Sequence, residues 1–150
     1  MLEQLKKIFG GDTAQAAGVL ATHDPHELAT AALLIELARA DFSESEQEMS
    51  AIRTVLGKRF RMTDAALDAL IADAARRADR AVSLHEFTHR LNAELPEADK
   101  LAIVEMLWRV SNADGQIDKH EDHLIRRIAG LLHISDRDRV RLKLKVVVER

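Results

Sequence analysis

Apolar side chains recur at three- and four-residue intervals along most of this chain, and short polar clusters interrupt them at regular distances. That is the helical period, and the interruptions carry helix-start chemistry. Asp24-Pro25-His26-Glu27 supplies a capping aspartate, a proline at the first helical position and a glutamate three residues after the cap, so a helix is predicted through Leu28 to Ala40. Ser43-Glu44-Ser45-Glu46 reads as a capping box opening a second helix to about Leu56, with Gly57 as its terminal residue. Thr63-Asp64 opens a third to about Asp79, with Ala66, Leu67, Leu70, Ile71 and Ala74 on its apolar face. Ser83-Leu84-His85-Glu86 opens a fourth to about Leu95, and Pro96 ends it and begins the next. Residues 97–113 then form a helix with Leu101, Val104, Leu107 and Trp108 inward. Asp118 caps a helix to Leu132, and Ser135 caps the last one. Within that last segment Val140-Arg141-Leu142-Lys143-Leu144-Lys145-Val146 alternates apolar and basic, which is a strand pattern. With no partner strand anywhere in the chain, it is expected to be helical, its basic residues forming a solvated face.

The pattern also repeats. Ala40-Asp41 through Glu48 and Ala113-Asp114 through Glu121 align at a fixed separation, pairing Asp41 with Asp114 and Glu48 with Glu121. Leu34 and Leu37 fall on Leu107 and Val110, and Ile52 and Arg53 on Ile125 and Arg126. The expected architecture is all-α, a single compact helical domain of about seven or eight helices with an internal pseudo-twofold duplication. Residues 24–150 make that domain, with repeats at about 24–79 and 97–150 and a bridging helix at 83–95. Residues 1–23 form a short amphipathic helix, with Leu2, Leu5, Ile8 and Phe9 on one face, followed by a Gly/Ala-rich linker.

Composition narrows the chemistry. The 150 residues are 47% hydrophobic but only 3% aromatic, a profile of small-residue helix contacts rather than sheets. With no cysteine, a disulfide framework, a thiolate metal site and a cysteine nucleophile are all excluded. A formal charge of −3 gives no footprint for nucleic acid. No apolar run is long enough to span a membrane and no secretory signal opens the chain, so a cytoplasmic location is expected.

The repeated acidic turns are the first candidate site. An aspartate ending one helix and a glutamate in the first turn of the next can face one small space, and two carboxylates with turn carbonyls suit a hard cation such as calcium, magnesium or manganese. Asp41, Glu48, Asp114 and Glu121 are the candidate ligands, with Asp118 beside them in the second copy. The turn at Asp114-Gly115 approximates a calcium-binding helix–loop–helix, with Asp118 and Glu121 at late ligand positions. Val110 stands where the first ligand belongs, and Leu37 does so in the first copy, so neither is a true EF-hand. The competing reading is structural: Glu48 and Glu121 fall where capping boxes want a glutamate, and Asp114 before Gly115 is ordinary turn chemistry.

His85-Glu86-Phe87-Thr88-His89 matches the zincin signature H-E-x-x-H. Two histidines four apart on a helix can hold zinc, and the glutamate between them can act as general base. No third ligand follows in a recognisable motif, so a zinc hydrolase is the minor alternative and the protein is expected not to be an enzyme.

Ala-Asp-Gly-Gln-Ile-Asp-Lys-His-Glu after an apolar helix, echoed by Ala-Asp-Phe-Ser-Glu-Ser-Glu-Gln-Glu, resembles the bacterial TerB-like tellurite-resistance domain over roughly residues 27–146. The resemblance implies a pseudo-twofold helical domain in the cytoplasm whose acidic clusters bind metal, carried over to Asp41, Glu48, Asp114 and Glu121. It also implies work in stress or tellurite response through protein partners, including membrane-associated assemblies. Phe42 departs from the pattern, standing where a glycine is common. A metal-free protein-interaction scaffold is the alternative within the same fold.

Overall fold

The computed structural model describes residues 23–40 and 45–149. The expected N-terminal helix at 1–9 and its linker lie outside these residues. Seven helices are found among the described residues: α1 Pro25–Ala38, α2 Glu46–Phe60, α3 Asp64–Arg80, α4 His85–Glu94, α5 Glu97–Ser111, α6 Lys119–Leu131 and α7 Asp136–Val148. The protein is all-α, and the alternating segment 140–146 is helical as expected.

The centre of the fold is α1. Ten of its fourteen residues are buried, so it has no polar stripe and must be enclosed on most sides. Four of those ten are alanines, Ala29, Ala31, Ala32 and Ala38, which let neighbouring backbones approach closely. It packs on α3 and α4 and also meets α2, α5 and α6. The second inner helix, α5, buries Val104, Leu107, Trp108 and Val110 completely and packs on α7, α2, α1 and α6. Leu101, predicted inward, is only half-buried. The Trp108 indole donates through Nε1 to the Arg139 carbonyl at 3.1 Å, so its one polar atom is satisfied inside the core. On α3, Leu67, Leu70 and Ala74 are buried as predicted, while Ala66 and Ile71 are half-buried.

Local start signals hold at several helices. Glu27 accepts from the Asp24 amide, completing the expected box at α1. Thr63 caps α3 by accepting from the Ala66 amide, and Ser135 caps α7 by accepting from the Asp138 amide. Three expectations need correction. The cap of α2 is Ser45, which accepts from the Glu48 amide at 2.9 Å; Ser43 lies outside the described residues. Gly57 does not end α2, which runs on to Phe60 and closes at Arg61 in the left-handed conformation (φ 52°). At α4 Ser83 makes no side-chain cap; instead the Glu86 carboxylate reaches back to the Val82 amide at 2.8 Å.

Candidate functional sites: two acidic junctions and an arginine-lined cleft

The α5–α6 junction is built by ordinary turn chemistry around one buried carboxylate. After α5 the Gly115 amide donates to the Asn112 carbonyl at 3.0 Å, and Gly115 takes φ 92°, a value open to glycine at little cost. Asp114 Oδ1 accepts from the Gln116 amide at 3.0 Å, an Asx turn, and the side chain is exposed. Asp118 Oδ2 caps α6, accepting from the His120 and Glu121 amides at 2.8 and 3.3 Å. Glu121, three residues after that cap, is completely buried, and its Oε1 accepts from the Ser111 hydroxyl at 2.7 Å. A carboxylate in the first turn also meets the positive end of the helix dipole.

At the α1–α2 junction Glu48 occupies the corresponding place, three residues after the Ser45 cap, and is likewise buried. Asp41 lies outside the described residues, as do Phe42 and Glu44. The five predicted metal residues thus divide into two buried glutamates at equivalent helix starts, a capping aspartate, an exposed turn aspartate and one residue not described.

Among the described residues, the one group of three histidine, aspartate or glutamate side chains whose ligand atoms converge is Asp24, His26 and Glu27 at the start of α1. The capping box there already accounts for Asp24 and Glu27.

His85 and His89 do share a face of α4, with ring centroids 5.3 Å apart, and both are exposed. Glu86, the would-be base, is engaged by the Val82 amide. No third protein ligand joins the two rings among the described residues.

A different place carries buried polar groups that the sequence reading did not single out. A cleft of about 720 Å3 opens between the start of α1, the second half of α3 and α4. Arg76, Arg77 and Arg80 line it from α3 and Arg90 from α4. Asp73, 4% exposed, also lines it; Arg76 and Arg77 approach its Oδ1 at 3.5 and 3.7 Å, while Oδ2 has no hydrogen-bond partner among the described residues. His23, 7% exposed, lines the same cleft with neither ring nitrogen bonded. The sequence signal was available as Asp73 followed by arginines three, four and seven residues later, one helical face, but nothing local placed α4 and His23 opposite it.

Two further charges on the inner helices are shifted in opposite directions. Burial alone would raise the Glu105 carboxyl, but its bonds to Arg109 and Lys145 together hold it below the usual carboxylate range. Burial pushes the Glu36 carboxyl up, with Arg39 opposing and Asp79 adding to the rise.

Residues 27–144 match the model of the family described as Tellurite resistance protein TerB. No curated protein matches the chain, and no solved structure does.

Proposed function

Because this chain belongs to the TerB family, we propose that it serves tellurite or stress response as a non-enzymatic interaction domain, docking a partner on the outer face of α7. The observation that carries this reading is a helix with two apolar faces. Leu142 and Val146 enter the core, while Val140, Leu144 and Val147 remain 42%, 58% and 42% exposed and Val148 81% exposed. These four recur at helical spacing on the solvent side, making one contiguous apolar stripe rather than scattered residues. Its charged rim is mainly basic: Arg137 lies on the same face, Arg141 and Lys143 at its edges, and the acidic residue there, Asp136, is paired with Arg139. Arg141 and Lys143 are held by Asp138 and Asp122, whereas Arg137 has no acidic partner among the described residues.

An apolar stripe with a basic rim fits an amphipathic partner helix with an acidic rim. Titration with such a synthetic helix should give saturable amide shifts along α7. Leu144→Asp with Val148→Asp should abolish them, and a lysine-rimmed peptide should not compete. Shifts elsewhere, or none, would end the reading; concentration-dependent dimers lost in the same variant would assign the face to a second copy instead. Among the described residues no helix is long and apolar enough to cross a membrane. The duplication belongs to the same reading. In support, α1 packs against α2 and α3 as α5 packs against α6 and α7, with α2 reaching α5 and α6 reaching α1.

Divalent cation binding at the α5–α6 junction is the second reading. It is favoured by the exposed Asp114 beside a left-handed Gly115, followed within seven residues by the buried Glu121. Calcium, magnesium or manganese would be the ion. Manganese should broaden amides near Asp114 and Glu121, and Asp114→Asn with Glu121→Gln should remove the effect. Broadening that survives those substitutions would move the ion elsewhere. Failure to retain stoichiometric zinc through purification without chelator would end the zinc-hydrolase alternative at His85, Glu86 and His89.

A further inference from the structure

The cleft between α1, α3 and α4 combines three features that point to a ligand. The first is charge. Four guanidinium groups converge on one opening, against two carboxylates, Asp73 and Glu86, that line the same space. Arg76 and Arg77 share one oxygen of Asp73 at long distances, and Arg90 pairs with Glu94 at 3.1 Å. Arg80 has no acidic partner among the described residues. A surplus of arginine at one place is the arrangement that planar, forked donors make for oxyanions.

The second is unmet hydrogen bonding. Asp73 and His23 line the cleft, and Asp73 Oδ2 and both His23 nitrogens are buried with no hydrogen-bond partner among the described residues. Buried polar atoms are nearly always bonded, so atoms left without a partner call for an explanation. A neutral imidazole offers one donor and one acceptor, and an ionised carboxylate only accepts. The third is shape: Leu28, Ala29 and Phe87 give the cleft an apolar wall beside its charged mouth.

From this we propose that the cleft binds a small phosphate-class oxyanion that carries an O–H: the arginines take its charged oxygens, His23 donates a further bond, and Asp73 Oδ2 accepts its hydroxyl hydrogen. The carboxylate is the selective element. Near neutral pH inorganic phosphate retains a proton, whereas sulfate has none to donate and would set a bare oxygen against Asp73. The same chemistry is met by free phosphate or by a phosphate ester on a hydroxylated small molecule, whose hydroxyl would serve Asp73 while its carbon skeleton rests on Phe87.

The test is an amide-shift titration of the intact chain with inorganic phosphate, ribose 5-phosphate and sulfate at matched ionic strength. Phosphate should bind saturably with shifts at His23, Arg80 and Phe87, and sulfate should bind about tenfold or more weakly, the scale of one lost charge-assisted bond. Ribose 5-phosphate tighter than phosphate would assign the site to an ester; the reverse order would assign it to the free ion. Arg80→Gln, an exposed substitution, should weaken phosphate about tenfold, and Asp73→Asn should bring sulfate up to phosphate. Arg126→Gln, away from the cleft, should change neither. Equal affinity for sulfate and phosphate in the unsubstituted chain would overturn the role given to Asp73. Absence of saturable phosphate binding, or binding indifferent to Arg80→Gln, would overturn the site and leave the cleft filled by water.

Discussion

The α5–α6 junction and the α1–α3–α4 cleft both bury carboxylates, and they do so for opposite ends. At the junction Asp118 is spent on two backbone amides, Asp114 on a third, and Glu121 on the Ser111 hydroxyl. Each bond closes a gap that folding itself opened, at a helix start or in a turn. In the cleft Asp73 and His23 are buried as well, but no helix start or turn there employs them: Asp73 Oδ1 meets two arginines at 3.5 and 3.7 Å, and its Oδ2 and both His23 nitrogens have no hydrogen-bond partner among the described residues. Buried polarity that is satisfied stiffens a fold; buried polarity that is not satisfied weakens it and persists where something else is to be held. On this comparison Asp114 and Asp118, the conspicuous aspartates of the second acidic turn, are structural.

The largest effect expected from this contrast is at Glu121. Glu121→Ala strands the Ser111 hydroxyl in the core and leaves a void, and it should cost about 3 kcal/mol by chemical denaturation. The loss should be equal with calcium or with chelator; a loss seen only with the cation would erase the contrast and return the junction to metal chemistry. Next is Asp118→Ala, which removes the α6 cap and should cost about 1 kcal/mol. In the cleft the sign should differ. Asp73→Asn gives up two long, solvent-screened arginine contacts but relieves a desolvated charge, so the change should stay within about 0.5 kcal/mol of zero. A loss above about 2 kcal/mol would make Asp73 a structural anchor like Glu121.

The smallest effects concern pH and separate the two inner helices. The folded-state pKa of Glu36 is raised above its ordinary 4.5, so its charged form weighs against the fold as pH rises through that raised value. Glu36→Gln should therefore stabilise by a few tenths of a kcal/mol at neutral pH, with the gain gone below about pH 4.5. Glu105 is depressed, so its contribution is present above the unfolded value and is lost as pH falls through the folded one. Glu105→Gln should accordingly destabilise near neutrality and flatten the acid limb of the stability curve. Measuring melting temperature against pH for both variants checks the two signs together.

How much of this was legible differs by element. Asp24, Thr63, Asp118 and Ser135 announce their helices because capping is local chemistry, settled within four residues. Gly57 misled for the same reason: a glycine after an apolar turn reads as a stop, but α2 continues because its next turn packs on the core. A Cβ at Gly57 would stand 3.5 Å from Leu67 Cδ2, an ordinary contact that only the tertiary fold defines. Glu48 and Glu121 were singled out by the repeated sequence pattern, and both are buried three residues after a helix cap. The cleft was not found, since Asp73 and three arginines look like a solvated helix face until α4 and His23 are set against them.

The enclosure of α1 also bears on how the molecule opens. A helix wrapped by α3, α4, α2, α5 and α6 cannot be exposed by the loosening of any one neighbour. Its amide hydrogens should exchange with solvent only when the whole domain unfolds, whereas those of α7, which packs mainly on α5 and α6 and keeps one apolar face in water, can exchange through partial opening. The inner helix would then report the global stability and the outer one its local reserve, so a partner that covers α7 would be felt first as slower exchange at the rim rather than at the centre.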